Sequence, residues 1–265
     1  MRKVVYTVLT NNYCEMPTDT VPMDGWEYLC YTDNPAKQAP YPWKTVSIAT
    51  LEQLRPVIMG DEFEKFYLNR YLKITPSALF EWGTLTVYHD ARISIDENIL
   101  SKLVEKYQDE QIIIREHSYR DTISDELLFL YSNRLMQKKN LKRYVSDLKR
   151  RGVDFKNFRC VDGSCLIRKI SLPTKIFSGM WMEDYMHFPA KLKRDQIAFN
   201  EALQRSGFDQ LKLIPREIEI IKTLGKYNKT SAIFELPTWN DIASMQSYVT
   251  KETRVPLSAP LLYLK

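Results

Sequence analysis

Glycine is scarce in this sequence. It supplies 8 of 265 residues, whereas globular proteins average roughly 7%. No glycines are spaced to form the G-x-G-x-x-G fingerprint of a dinucleotide site or the G-x-x-x-x-G-K-[ST] loop that cradles phosphates. If the protein binds phosphate, side chains or a metal ion must therefore replace a glycine-rich backbone cradle.

Long apolar runs are absent as well. No run approaches the ~20 residues of a membrane-spanning helix, and the amino-terminal segment lacks the small-residue cleavage site of a signal peptide. Internal repeats, low-complexity segments and obvious linkers are also lacking. We therefore expect a cytoplasmic protein with a single domain over residues 1–265, in which 222–265 forms a C-terminal wrap.

Several reactive-site patterns are missing. The cysteines form no C-x-x-C pair and fit no zinc template, so reduced and mostly buried thiols are expected at Cys14, Cys30, Cys160 and Cys165. The three histidines are not spaced as a metal triad, which argues against a metal-dependent amide hydrolase. The sequence contains no G-x-S-x-G elbow, so a serine hydrolase is not indicated either.

The charge balance is mildly basic, with 38 basic and 33 acidic residues and a net charge of +5. This excess suits an anionic ligand or an anionic membrane surface, so peripheral membrane contact stays open. A nucleic-acid binder usually has a denser basic stripe. The basic stretches at 138–143 and 149–151 are interpreted as a solvated helix face, and we expect no nucleic-acid partner.

Strand and helix patterns alternate along the chain. Strands are predicted at 3–10, 26–32, 44–49, 84–89, 93–95, 111–115 and 165–168, and helices at 61–73, after Asp96, within 122–149 in two pieces, and at 194–206. This order predicts an α/β fold with a mainly parallel central sheet flanked by helices. Ligands bind outside the carboxyl ends of such strands. Asp33 and Asp90 each follow a predicted strand and so mark the expected site.

Cationic side chains accompany these acids. Arg70 and Lys73, spaced i,i+3, share one helix face and would repel each other unless an anion such as a diphosphate lay between them. In Asp90-Ala91-Arg92, the acid could hold a metal ion or a ribose, and the arginine could bind phosphate bidentately. Two solvated cations and a turn-closing ion pair are the ordinary alternatives.

The segment 117–126 carries polar groups suited to sugar or phosphate. His117, Arg120 and Glu126 could bind sugar hydroxyls, while Asp121 and Thr122 could instead cap the next helix.

A tryptophan beside carboxylates occurs at Trp181-Met182-Glu183-Asp184, followed by Arg194-Asp195-Gln196. An indole face can stack on a sugar ring, and a carboxylate can act as general base towards a hydroxyl. The alternative is an amphipathic helix start at which Asp195 favours the helix dipole.

Taken in order, these segments resemble a family of GT-A-fold glycosyltransferases, long known as a domain of unknown function. It has bacterial members and plant members linked to pectin and mucilage synthesis. The family's R-x-x-K-x-x-P stretch, followed by a strand that ends in Asp-x-Asn, is similar to Arg70–Pro76 and Asp90-Ala91-Arg92. Its H-x-x-R-D-x-I-x-x-E, "LIRR", W-x-E and R-D-Q elements are similar to the segments 117–126, 166–169, 181–183 and 194–196. The likeness covers roughly residues 62–203.

The resemblance implies a GT-A-like enzyme that moves a sugar from a nucleotide-diphosphate sugar to a glycan or lipid-linked acceptor in polysaccharide biosynthesis. Together with the strand-end positions, it implies donor contacts from Tyr6, Thr10, Asp33, Arg70, Lys73, Asp90 and Arg92. Sugar or acceptor contacts are expected from His117, Arg120, Glu126, Trp181 and Arg194. A catalytic acid is expected among Glu183, Asp184 and Asp195.

Arg92 affects two expectations, the dependence on a metal ion and the presence of catalytic activity. It stands where a metal site would have a second acid, so any dependence on Mn²⁺ or Mg²⁺ at Asp90 should be weaker than in a two-acid site. The same departure motivates an alternative function, a catalytically inactive module that binds a sugar nucleotide or a glycan. The sugar, the nucleotide, the acceptor and the stereochemical course stay open.

Overall fold

The computed structural model describes residues 1–51, 62–133, 135–187, 194–225 and 239–256. Its strands are β1 Lys3–Leu9, β2 Glu27–Thr32, β3 Lys44–Ser47, β4 Leu85–His89, β5 Ile93–Ile95, β6 Ile112–Glu116, β7 Val161–Lys169, β8 Leu211–Ile214 and β9 Ile221–Leu224. Its α-helices are α1 Glu62–Ile74, α2 Glu97–Lys106, α3 Ile123–Ser132, α4 Lys138–Arg150, α5 Leu172–His187, α6 Asp195–Ser206 and α7 Trp239–Thr253.

The strands form a seven-stranded sheet in the order β3-β2-β1-β4-β7-β6-β8, and β5 and β9 form a two-stranded sheet. The pairs β1–β2, β1–β4, β2–β3 and β6–β8 are parallel, whereas β4 and β7 are antiparallel. The prediction of an α/β fold with a mainly parallel central sheet flanked by helices is confirmed.

Local sequence signals fix several helix ends. Asp96 accepts a hydrogen bond of 2.9 Å from the Ile99 amide and caps α2, as predicted. Thr122 and Asp125 form a capping box at α3, which confirms Thr122 as a cap. Gly207 ends α6 with φ 61°, a left-handed conformation that glycine adopts readily.

Most of the predicted elements are present within a few residues of their expected bounds, although Asp61 lies outside the described residues. The sequence analysis missed α5, β8, β9 and α7. The buried face of α5 includes the polar residues Thr174, Ser178 and Asp184, whereas Leu172 and Ile176 are exposed, so apolar residues do not mark the period of the helix.

The chain divides into two compact units. The first comprises Met1–Arg115, Gly163–Met182 and Phe208–Thr230. Its apolar core includes Val5, Val87, Leu100, Ile113 and Ile167, which come from β1, β4, α2, β6 and β7. The carboxyl ends of β1, β2 and β4 all belong to this unit.

The second unit comprises Glu116–Asp162, Glu183–Gly207 and Ser231–Lys265. Its core includes Leu127 from α3, Tyr144 from α4 and Met245 and Val249 from α7. Of the predicted C-terminal wrap 222–265, residues 226–238 and 257–265 lie outside the described part. The single-domain organisation stays a prediction.

The four cysteines are free and buried, as expected. None of the helices in the described part of the chain has the length and apolar character needed to span a bilayer.

Candidate functional site

The sheet order places a topological switch point at β1. From β1 the chain adds β2 and then β3 on one side, and it later adds β4 on the other side. In open α/β sheets, ligands bind in the crevice outside the carboxyl ends of the strands at such a point. Thr10 follows β1, Asp33 follows β2 and Asp90 follows β4.

Tyr88, near the carboxyl end of β4, lies beneath two of the predicted donor-binding side chains. It is fully buried, and its hydroxyl donates a hydrogen bond of 2.8 Å to Oδ1 of Asp90. Nζ of Lys73 lies 5.4 Å from the centre of its ring. Burial raises the pKa of Tyr88, the charge of Asp90 adds to this shift and the charge of Arg70 opposes it. Asp90 and Lys73, both predicted to bind a donor, therefore lie against one phenol. Arg70 donates a hydrogen bond of 2.8 Å to Asn69, whose side chain donates one of 2.8 Å to a backbone carbonyl of β1.

Two further side chains border Asp90. Burial raises the pKa of Tyr13, and among the charges around it Asp90 raises the pKa further whereas Arg70 lowers it. Burial also raises the pKa of the Cys14 thiol to about 11, with Asp90 adding to the shift and Lys37 and Arg92 opposing it. Arg92 is thus close enough to Asp90 for both to act on one thiol.

The loop after β1 is held by Asp33. Both carboxylate oxygens of Asp33 accept the Asn11 amide at 3.1 Å. Asn11 and Asn12 have φ values of 55° and 48°, a left-handed conformation that asparagine tolerates better than most residues. Asp33 thus holds the loop that follows β1, and its predicted contact with the donor stays a prediction.

Tyr6 lies in the core. It is fully buried, its hydroxyl donates to the carbonyl of Leu72 at 3.2 Å, and its backbone lies between β2 and β4. The phenol therefore contacts the end of α1. Its predicted contact with a donor stays a prediction.

Arg168 supports the helix that carries the cations. It is 1% exposed, and it donates to the carbonyl of Ile74 at 2.9 Å, to the hydroxyl of Tyr6 at 3.0 Å and to the carbonyl of Lys73. These bonds satisfy carbonyls at the carboxyl end of α1, where a cation also favours the helix dipole.

A cavity of about 360 Å³ opens at the carboxyl ends of β1 and β2. Its size falls in the range of small-molecule pockets, roughly 300–1,000 Å³. It is lined by Leu9, Glu15, Met16, Thr18, Cys30, Thr32, Lys37, Gln38, Ala39 and Pro40. From the sequence, the main chain near Tyr6–Thr10 and Asp33 is predicted to flank the base and ribose of the donor. Leu9 of that range lines the cavity, and the other lining residues were not singled out.

The predicted catalytic acids occupy different environments within the second unit. Asp184 is fully buried, and its Oδ1 lies 2.5 Å from Arg151 and 3.2 Å from Arg205. The side chain of Glu183 is 69% exposed and lies 2.7 Å from Arg205. Asp195 lies in the first turn of α6, where a negative charge favours the helix dipole. The assignment of any of them as the base stays a prediction.

Glu201 shares Arg151 with Asp184. Its Oε1 lies 3.1 Å from a guanidinium nitrogen of Arg151, and its side chain is 4% exposed. Burial raises its pKa from 4.5 to about 7, although Arg151 opposes the shift. Burial also raises the pKa of Asp184, against the charges of Arg205 and Arg151. Glu201 could not be singled out from the sequence, because its raised pKa depends on burial beside Arg151, which is 50 residues away in the chain.

These shifts predict how stability depends on pH. The folded protein binds the Glu201 proton more tightly than the unfolded chain, so the free energy of unfolding should fall as the pH rises from 4.5 to about 7 and then level off. Glu201→Gln should make this fall less steep in urea unfolding measured across pH. An unchanged slope in the variant would show that Glu201 does not hold this proton.

Two of the predicted sugar-binding residues, Arg120 and Arg194, act on the buried carboxylate of a third, Glu126. Glu126 is paired with Arg120 at 2.5 Å. Burial raises the pKa of Glu126, and Arg120 and Arg194 lower it. The Arg120 guanidinium also lies 4.0 Å from the ring centre of Phe129.

Trp181 and His117 have other surroundings. The indole of Trp181 is 1% exposed, with the Arg168 guanidinium 6.0 Å from its centre and Phe177 beside it. Nδ1 of His117 accepts the Tyr119 amide at 3.1 Å. The Trp181 ring therefore packs in the core, and the predicted contacts of both residues with a sugar stay predictions.

Comparisons with known proteins give structural likeness alone. No family model matches the chain, and no curated protein matches it. Mouse xyloside xylosyltransferase 1 is similar at 8% identity and a TM-score of 0.47, covering 80% of this chain and 84% of that one. The galactosyltransferase LgtC, solved in complex with donor and acceptor sugar analogs, has 8% identity, a TM-score of 0.42 and 98% coverage of both chains.

A 4-diphosphocytidyl-2C-methyl-D-erythritol synthase from Anaerococcus prevotii has 11% identity and a TM-score of 0.40, covering 94% of this chain and 98% of that one. Identities and scores this low assign neither family nor activity.

Proposed function

We propose that this chain is a glycosyltransferase that moves a sugar from a nucleotide-diphosphate sugar to a hydroxyl of a glycan or lipid-linked acceptor. The observation that carries the proposal is that Asp90 and Lys73 lie against Tyr88 near the carboxyl end of β4. Arg70 is joined through Asn69 to the carboxyl-terminal half of β1. Membership of the glycosyltransferase family that the sequence resembles, and a place in polysaccharide biosynthesis, are parts of the same proposal.

The cations of this group have a chemical task in such a reaction. Breaking the glycosidic bond to a diphosphate leaves negative charge on the leaving group, and cations held in place before the reaction stabilise that charge. Arg70, Lys73 and Arg92 supply three such cations. Lys73 is 3% exposed, so its charge is poorly screened by water and acts strongly on an anion nearby.

Asp90 is proposed to orient the donor. The Tyr88 hydroxyl holds one of its oxygens, which fixes the plane of the carboxylate and leaves Oδ2 as an acceptor for a ribose or sugar hydroxyl. Burial keeps Tyr88 protonated by raising its pKa, so the hydrogen bond persists at neutral pH.

The cavity beside β1 and β2 is proposed to take the nucleoside. Its apolar side chains, among them Met16 and Cys30, suit a flat base, and Thr32, Lys37 and Gln38 offer a few polar contacts. A mostly apolar pocket with a few polar groups is the usual form of a small-molecule site.

The acceptor side is proposed to use the acids and cations of the second unit. An inverting transfer needs a carboxylate that removes the acceptor proton, and Glu183, Asp184 and Asp195 remain its candidates. Arg120, Glu126 and Arg194 remain candidate sugar or acceptor contacts, together with His117 and Trp181.

A bound Mn²⁺ or Mg²⁺ would neutralise part of the diphosphate charge. Within the described residues, no group of three His, Cys, Asp or Glu side chains is placed to hold a metal. Asp90 is the candidate ligand, and magnesium sites often use one or two carboxylates together with substrate phosphates. A metal would therefore fit here only together with the donor, beside Arg92 rather than a second acid.

Binding of nucleotide sugars tests the donor site and the metal together. In a thermal-shift screen of the full chain, we expect at least one nucleotide sugar to raise the melting temperature, because a ligand that binds only the folded state stabilises it. The shift should persist in EDTA and grow modestly with Mn²⁺. A shift that vanishes in EDTA would show that the role given to Arg92 is too large.

A catalytically inactive module that binds a sugar nucleotide or a glycan is the alternative. The observation that favours it is Arg92, which stands where a metal site would have a second acid. Donor binding would be common to both functions, so only turnover separates them.

A further inference from the structure

The amino-terminal half of α4 carries an unusual concentration of positive charge. Four exposed cations, Lys138, Lys139, Lys142 and Arg143, stand within six residues and without an acid among them. We call this set the cationic face. At a rise of about 1.5 Å per residue, it extends over only ~8 Å of the helix.

Local helix energetics oppose this arrangement. The amino-terminal end of a helix is the positive end of its dipole, where acids are favourable and cations are not. No acid lies in the first turn of α4, and Gln137 makes no side-chain cap. Lys138 and Lys142, and Lys139 and Arg143, are like charges at i,i+4, which destabilise a helix.

The carboxyl-terminal half of the same helix follows the opposite pattern. Arg150 is paired with Asp147, and Lys149 lies 2.9 Å from Glu252. Both cations lie at the negative end of the dipole, where they are favourable. Among the described residues, no acid is paired with the cationic face, and Lys142 lies 5.0 Å from the ring centre of Tyr248. The unfavourable charges are thus confined to one half of the helix.

The helix cannot turn this face inward. Leu141, Tyr144, Val145 and Leu148 on the other side are fully buried in the core of the second unit. Where a natural sequence places residues that disfavour the local helix, and no contact in the fold compensates for them, a functional reason is expected. Here an external anion would remove the repulsion and offset the unfavourable dipole interaction.

We propose that the cationic face docks the protein on a bilayer of anionic phospholipids. Clusters of four to eight lysines and arginines on a helix are typical of such contacts, and each cation near the surface raises partitioning about fivefold. Leu135, which is 38% exposed just before the helix, adds an apolar contact. Residues 135–143 include no aromatic side chain that could stack on a base, and Lys142 lies over the neighbouring ring of Tyr248, which makes a single-stranded nucleic acid a poorer fit.

Co-sedimentation of the full chain with vesicles tests this proposal. We expect binding to vesicles of phosphatidylcholine mixed with phosphatidylglycerol, little binding to phosphatidylcholine alone, and a decrease with added salt. The double variant Lys138→Gln, Lys139→Gln should lower partitioning on the order of 30-fold. Its melting temperature should stay the same or rise, because two unfavourable charges are removed.

The matched control is the double variant Lys149→Gln, Arg150→Gln, which removes the same charge from the paired half of α4. It should lower partitioning much less. Equal losses in both variants would mean that net charge alone drives binding. No binding of the wild type to anionic vesicles, or binding to nucleic acid in their place, would overturn the proposal. Neither result depends on whether the protein transfers a sugar.

Discussion

Replacement of Arg151 by methionine is expected to lower the free energy of unfolding by about 3–5 kcal/mol, because removing one partner of a buried ion pair leaves uncompensated buried charge. Arg151 contacts both Asp184, whose side chain is 0% exposed, and Glu201, at 4%. Arg205 contacts Asp184 as well, at 3.2 Å, but it is shared with Glu183. Urea unfolding at neutral pH measures the change.

Lys149→Met is the control for this variant. Lys149 also pairs with an acid of the second unit, Glu252, but its side chain is 48% exposed. Exposed ion pairs contribute about 0–1 kcal/mol, so the control should unfold almost as the wild type does. If Arg151→Met lowers the free energy of unfolding by less than about 1 kcal/mol, Arg151 does not compensate buried charge on Asp184 and Glu201.

Replacement of Arg70 by glutamine is expected to weaken the binding of nucleoside diphosphates by about 10- to 100-fold, because a hydrogen bond to a charged group contributes about 1.5–3 kcal/mol. Arg70 donates a hydrogen bond of 2.8 Å to Asn69, whose side chain donates one of 2.8 Å to the Val8 carbonyl of β1, so the substitution removes a cation near the strand end that is proposed to meet the donor. Isothermal titration calorimetry with the variant measures the loss.

Arg2→Gln provides the matched control, since it removes the same charge from the first unit. Arg2 precedes β1, at the end of the strand opposite to Thr10, and pairs at 2.8 Å with the exposed Glu27. Its replacement should leave binding unchanged. If both variants lower the affinity for nucleoside diphosphates equally, the net charge of the protein governs binding, and Arg70 does not contact the diphosphate.

The parts of the fold that depend on local pattern were accessible from the sequence. The strands that end at Leu9, Thr32 and His89 are marked by apolar β-formers followed by turn residues. Because parallel strands end at one edge of the sheet, Asp33 and Asp90 could be assigned to one region from the sequence. The caps at Asp96 and Thr122 follow from short-range hydrogen bonds.

Burial and long-range partners were not accessible in this way. Trp181 and Asp184 lie in a helix whose period the sequence conceals, and the sequence does not indicate that both are buried. The bonds of Arg168 to Tyr6 and to the end of α1 join residues far apart in the chain. Tyr88 could have been found, because residues i and i+2 of a strand share one face and Tyr88 stands two places before Asp90.

The central claim is that the chain transfers a sugar from a nucleotide-diphosphate sugar, and turnover tests it most directly. Labelled nucleotide sugars are incubated with the full chain and candidate glycan or lipid-linked acceptors, and transfer of label and release of nucleoside diphosphate are followed. The account predicts transfer from at least one donor, with a large loss of rate in Arg70→Gln and wild-type rates in Arg2→Gln. A protein that binds such a donor tightly but never transfers or releases its sugar would contradict the account and establish the inactive module in its place.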